Sequence, residues 1–115
     1  MGAISNLNIR KKIFLKLKKI GFYLPNIIHE SAVVEPSSKF GEGNQVMMSS
    51  SVGSEAIIHD NCIINSGAII SHDSVIQSHS HIAPGAVLAA DVNVGETICI
   101  PEVQVLDADL VHRTP

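Results

Sequence analysis

The chain has no tryptophan, one tyrosine and three phenylalanines, so aromatic side chains make up only 3% of its 115 residues. A core built on rings is excluded, and the apolar 45% must pack through Ile, Val, Leu and Ala. The β-branched residues among these favour strands. Two cysteines, Cys62 and Cys99, are too few for a disulfide-built secreted scaffold. No apolar run approaches the ~20 residues of a membrane-spanning helix. Met1 is not followed by a signal-peptide core, and the expectation is a cytoplasmic protein. A net charge of −3 argues against a generic nucleic-acid binder. The length suits one small domain.

Charge is unevenly placed. Six of the eight basic residues lie between Arg10 and Lys19, while the chain from Ile20 onward carries two basic and eleven acidic residues. Residues 8–20 read as an amphipathic helix, with Ile9, Ile13, Leu17 and Ile20 on one face. Asn6 or Asn8 can cap its start, and Gly21 sits at the C′ position. The lysines then form a solvated face; a membrane-surface or polyanion-binding helix is the sharper alternative.

From Ile28 the chain has a period of six. Every sixth residue through Leu106 is apolar, 14 in succession, from Ile28, Val34 and Phe40 to Val94, Ile100 and Leu106. Four residues after each of the first ten stands a small one: Ala32, Ser38, Asn44, Ser50, Ala56, Cys62, Ala68, Ser74, Ser80, Ala86. A period of six is a multiple of the strand period and not of 3.6, so it suits short strands joined by bends and excludes a long helix. Gly41, Gly53 and Gly95 follow the apolar position, where a tight bend would use them. Three hexads close one triangular coil, with large aliphatics inside and small residues at the corners. Successive coils lie about 4.8 Å apart. The register weakens after Val94, the small column becoming Val92, Ile98, Gln104 and Leu110, and about the last 15 residues are expected to leave the regular coil and cap its open end. Cys62 and Cys99 stand close to two coils apart, roughly 9–10 Å, beyond disulfide reach, and both are read as reduced.

Six histidines are present: His29, His59, His72, His79, His81 and His112. His72 occupies an outward corner position and is followed by Asp73. A carboxylate beside an imidazole fixes its tautomer and stabilises the imidazolium, as a general base requires. The plain alternative is an exposed corner residue without a role. His79 and His81 with His72 could instead contribute to a zinc site completed across a subunit boundary, although no compact ligand motif is present.

These residues carry a resemblance. Ile58-His59-Asp60-Asn61-Cys62-Ile63-Ile64-Asn65-Ser66-Gly67-Ala68, Ser71-His72-Asp73 and His81-Ile82-Ala83-Pro84-Gly85-Ala86 resemble the hexapeptide-repeat sugar acetyltransferases, in the branch of sialic acid O-acetyltransferases and bacterial amino-sugar N-acetyltransferases. Met1 to Asn6, Arg10 and the helix after it resemble the last strand–helix unit of that family's N-terminal sugar-nucleotide-binding lobe. The resemblance implies an all-β solenoid, a left-handed parallel β-helix preceded by one amphipathic α-helix. It divides the chain into a remnant of the N-terminal lobe (1–25), the β-helix (26–97) and an irregular C-terminal cap or tail (98–115). It implies acetyl-CoA as co-substrate, a sugar acceptor and a homotrimer with sites between subunits.

By the same resemblance His72 is the catalytic base and Asp73 its support. His81 and Ala90 lie on the acetyl-CoA path, and Asn65 lies near the acceptor. Ala90 stands where the family usually has Gly. Most of the N-terminal lobe and the later coils that hold the rest of CoA have no counterpart, as if truncated at both ends. Two rivals follow: a catalytically inactive hexapeptide-repeat protein with a structural or binding role, told apart by failure to bind CoA, and a metal-dependent hydratase on the same fold, told apart by stoichiometric zinc.

Overall fold

The structure, a computed structural model, describes residues 6–101 and the strand Val105–Leu106. The chain opens with helix α1 (Leu7–Ile20). Asn6 caps it, its Oδ1 accepting the Ile9 N–H at 3.1 Å. Gly21, at φ 112°, ends it and donates its N–H to the Leu17 and Lys18 carbonyls.

A parallel β-helix of two-residue strands follows. Its first face stacks β1 (Ile27–Ile28), β4 (Gln45–Val46), β7 (Ile63–Ile64), β10 (His81–Ile82) and β13 (Cys99–Ile100). The second stacks β2 (Val33–Val34), β5 (Ser51–Val52), β8 (Ile69–Ile70), β11 (Val87–Leu88) and β14 (Val105–Leu106). The third stacks β3 (Lys39–Phe40), β6 (Ile57–Ile58), β9 (Val75–Ile76) and β12 (Asn93–Val94). Every strand pairs with the one 18 residues away, as Ile64 with Val46 and Ile82. Pairing runs on through β13 and β14, past residue 97, where the weakening register had placed the start of an irregular segment.

From β4 to β13 the second residue of each strand is buried. Val46, Ile64, Ile82 and Ile100 form one internal ladder; Val52, Ile70 and Leu88 form another, and Ile58, Ile76 and Val94 a third. Burying each such side chain contributes about 1.5–3 kcal/mol. Ala56, Cys62, Ala68 and Ala86 fill the corners beside them. Small polar residues carry hydrogen bonds from coil to coil: Asn44 Oδ1 accepts the Cys62 N–H, Ser74 Oγ the Val92 N–H and Ser80 Oγ the Ile98 N–H.

The bend has its own six-residue column. Gly43, Ser49, Glu55, Asn61, Gly67, Asp73, His79, Gly85, Asp91 and Thr97 all have φ between 56° and 75°. This corrects the bend role expected of Gly41, Gly53 and Gly95, none of which has positive φ. Gly41 and Gly53 are needed for space instead. A Cβ on Gly53 would lie 2.6 Å from the backbone nitrogen of His72.

Helix α1 lies along the corner between the third and first faces. Lys18 pairs with Glu42 at 2.7 Å at one end, and Lys11 with Glu96 at 3.3 Å at the other. The face it buries is not the expected apolar stripe. Arg10 and Phe14 are buried, whereas Ile9, Ile13 and Ile20 stay exposed. The corner beneath is polar. Asn61 accepts two bonds from Arg10 Nη2, at its carbonyl (2.6 Å) and Oδ1 (3.1 Å), and faces His79 Nδ1 with its Nδ2 at 2.9 Å. Phe14 meets the His79 ring edge-on at 5.4 Å. The displaced stripe borders an apolar groove of about 350 Å³ between Ile13, Leu17, Leu24 and Ile27. No described helix is long and apolar enough to cross a membrane.

Candidate active site

His72 projects from the corner between the second and third faces. The left-handed conformation of the next residue makes this corner: Asp73 sits at φ 61°, a region that Asp tolerates well. Neighbouring coils hold it from both sides. Asp73 N–H donates to the Ser54 carbonyl at 3.0 Å, and Asp91 N–H donates to the His72 carbonyl at 3.2 Å. Ser54, His72 and Ala90 therefore stack in one column, with Ala90 on the coil next to His72.

His72 Nδ1 lies 2.7 Å from Asp73 Oδ2, with both side chains exposed. The carboxylate can only accept, so Nδ1 carries the proton and Nε2 keeps a lone pair. That arrangement fits proton abstraction at Nε2. A shallow depression of about 320 Å³ on the second face, lined in part by Glu35, Ser51, Gly53 and Ile69, opens beside it.

A second polar cluster lies on the outer surface of the first face. His81 on β10 has Nε2 3.1 Å from Asn65 Nδ2 and Nδ1 3.8 Å from Cys99 Sγ. Burial, and then the Arg10 guanidinium, push the His81 imidazole below its usual value. Asn65 and His81 thus stand together, as do His72, Asp73 and Ala90. The two groups do not meet: His72 and His81 are nine residues apart, half a coil. Sequence reasoning missed Arg10, Asn61 and Cys99. The Asn61 left-handed column was visible as a recurrence of Gly, Asp and Asn, whereas the Arg10 contact depends on helix docking.

The remaining histidines divide. His79 is buried beneath α1, its imidazole pushed below its usual value chiefly by burial. His29 bonds Ser31 locally, and His112 lies outside the described residues, as do residues 1–5 of the family-like N-terminal segment. Among the described residues no group of three or more His, Cys, Asp or Glu is placed to hold a metal ion. Both cysteines are free. Cys62 is buried, its thiol pushed up to about 12 by burial, and Cys99 is exposed.

No protein-family model matches the chain. It is 28% identical over 99 residues to the bifunctional protein GlmU of Bartonella quintana, covering 86% of this chain and 20% of that protein. Among solved structures, a His-to-Asn variant of perosamine N-acetyltransferase from Caulobacter crescentus, in complex with CoA and GDP-perosamine, is 36% identical with a TM-score of 0.86. That match covers 92% of this chain and 51% of the other. The acetyltransferase domain of PglB from Neisseria gonorrhoeae, in complex with acetyl coenzyme A, is 30% identical with a TM-score of 0.75, covering 92% and 55%. The chain spans about half the length of these structures and a fifth of the curated relative. In fold it is a left-handed parallel β-helix, and in sequence and structure it is similar to the hexapeptide-repeat sugar acetyltransferases.

Proposed function

We propose that the chain transfers an acetyl group from acetyl-CoA to an amine or hydroxyl of a sugar, such as a nucleotide-linked amino sugar or sialic acid, in surface glycan synthesis, with His72 as general base. The observation that carries this reading is the 2.7 Å contact of His72 Nδ1 with Asp73 at an exposed corner. Its support is the likeness to proteins solved with CoA and with GDP-perosamine. His72 Nε2 takes the acceptor proton as the nitrogen or oxygen attacks the thioester carbonyl. Asp73 stabilises the imidazolium, which returns the proton to the departing CoA thiolate. A backbone N–H beyond His81 supplies the oxyanion donor that acyl transfer needs.

The His81–Asn65 cluster faces the thioester, and Ala90 borders the CoA path. Since these residues lie half a coil apart in one chain, the reading includes a homotrimer that joins the His72 corner of one protomer to the His81 face of the next. Thiol release on mixing the protein with acetyl-CoA and GDP-perosamine tests the proposal. Release from the wild type that is lost in His72→Ala supports it; no release, or equal release from both, overturns it. Alkali lability of the product separates an ester from an amide.

A further inference from the structure

Arg10, Asn61 and His79 take no part in the reaction just described, yet together they fix a protonation state across the seam between α1 and the solenoid. Arg10 has only donors, so the Asn61 side-chain atom facing its Nη2 at 3.1 Å must be the oxygen. The amide nitrogen is thereby turned toward His79 Nδ1 at 2.9 Å and the Arg10 carbonyl at 3.4 Å. An amide N–H needs an acceptor, so Nδ1 keeps its lone pair and the neutral ring carries its proton on Nε2. An imidazolium has an N–H on both nitrogens. Its Nδ1–H would face the amide N–H, donor against donor. Turning the amide over moves the same conflict to Arg10, and turning the ring sets a C–H against the amide.

The rest of the seam offers an added proton no partner. Arg10 and His79 are 0% and 4% exposed. Arg10 Nε and Nη1 are buried without a hydrogen-bond partner among the described residues, so one uncompensated cation is already present. The charged groups that bear on the ring are Arg10 and Lys11 from α1, Asp60 from the coil before and Glu96 from the coil after, with Glu96 held by Lys11 at 3.3 Å. Burial outweighs them all and disfavours the charged ring. We propose that His79 is a proton-operated latch for helix α1: the docked helix requires the neutral ring, and protonation releases it. With 14 residues, α1 is marginal as a helix in water once its packing is lost, so release unfolds it. Release also uncovers Phe14 and opens the apolar groove against Leu24 and Ile27. A freed imidazole titrates near ~6.5. Docking is therefore at full strength above that value and weakens about ten-fold for each pH unit below it while the docked ring stays neutral. The latch does not depend on the acetyl-transfer reading.

Hydrogen exchange of the α1 amides in the full chain, corrected for the intrinsic pH dependence of exchange, gives the opening constant of the helix. It should rise about ten-fold per pH unit between about pH 6 and 5, while the amides of β5 to β10 keep their protection. In His79→Gln, whose side-chain oxygen keeps an acceptor for Asn61, the constant should stay flat. Asn61→Asp tests the lock itself. Its carboxylate accepts from Arg10 and from a protonated His79 together, so the slope should vanish or reverse, and the His79 ring C–H signal in NMR should titrate at higher pH than in the wild type. An Asn61 that merely fills the corner would, when replaced, raise the opening constant at every pH and leave the slope unchanged. A flat profile in the wild type, loss of protection shared equally by the strands, or the wild-type slope in either variant overturns the proposal.

Discussion

Gly53→Ala tests whether the packing beneath His72 sets its reactivity. Gly53 lacks positive φ, so alanine meets no conformational penalty there. Space is the obstacle: the new Cβ would lie 2.6 Å from His72 N, 2.9 Å from Ser71 C and 3.0 Å from His72 Cα, all backbone atoms. Ordinary carbon contacts begin near 3.5 Å, so the corner must retreat by about 0.5–1 Å. Such overpacking costs about 1–3 kcal/mol, offset by about 0.4–1 kcal/mol from the stiffer unfolded chain. A net loss of 1 kcal/mol lowers Tm by about 4–8 °C in a domain near this size. A catalytic group displaced by ~1 Å loses up to ~100-fold in rate.

The expected outcome is a folded variant, several degrees less stable, with acetyl-CoA thiol release reduced by one to two orders of magnitude, on the order of the displacement effect. Gly41→Ala is the matched control. Its Cβ would collide with Asp60 Oδ1 and lie 2.8 Å from the His59 carbonyl oxygen, a clash at least as severe at a different corner. If Gly41→Ala costs as much activity per degree of Tm, or if Gly53→Ala keeps full activity, the reasoning fails.

Other outcomes follow from buried polar groups. Asn44→Ala removes an acceptor for the Cys62 N–H (2.8 Å) and a donor to the His59 carbonyl (2.7 Å). The His59 carbonyl keeps the Gly41 N–H (3.2 Å), so the Cys62 N–H alone is left unpaired; this should cost about 1–3 kcal/mol in urea unfolding, and a loss under ~0.5 kcal/mol would refute the accounting. His79 binds its proton less readily when folded than when unfolded, so its contribution to stability is complete above the unfolded value near ~6.5 and declines as pH falls below it. Tm should therefore drop between about pH 7 and 5. The drop should shrink in His79→Gln, which keeps an acceptor for Asn61; an unchanged drop would clear His79. Ellman's reagent should titrate one thiol per native chain, Cys99, and a second only on unfolding. Native labelling of Cys62 would contradict its burial.

Some of this architecture was legible because it is periodic. One inward aliphatic per strand and one small corner residue are repeated constraints, so an alternation of six exposes them without any knowledge of contacts. Asn6 and Gly21 were equally readable because caps act locally. The buried face of α1 was not. Ile9, Ile13, Leu17 and Ile20 make the better apolar stripe on a helical wheel, but the corner offers Asn61 and His79, whose polar atoms need partners. Arg10 meets that need, and tertiary hydrogen bonding overrides the stripe. The glycines misled in the same way: Gly53 is small to admit the next coil's backbone, a demand visible only once the coils are stacked. His72 and Asp73 were found as neighbours in sequence, whereas Cys99 meets His81 through strand register and Asn65 reaches His81 by its side chain from the coil before.

The constant 18-residue step between paired strands shapes how the chain reaches this form. Every coil closes a loop of the same length, so each addition carries nearly the same closure entropy. No strand waits for a distant part of the chain; it needs only the coil already laid down. Assembly can therefore start at any well-packed coil and zip in both directions, as in other one-dimensional arrays. The Ile64, Ile70 and Ile76 coil, buried and flanked on both sides, is a natural starting point. A single-residue deletion there would shift every later side chain out of its layer, while removal of a whole 18-residue turn would shorten the rod and leave its layers in step.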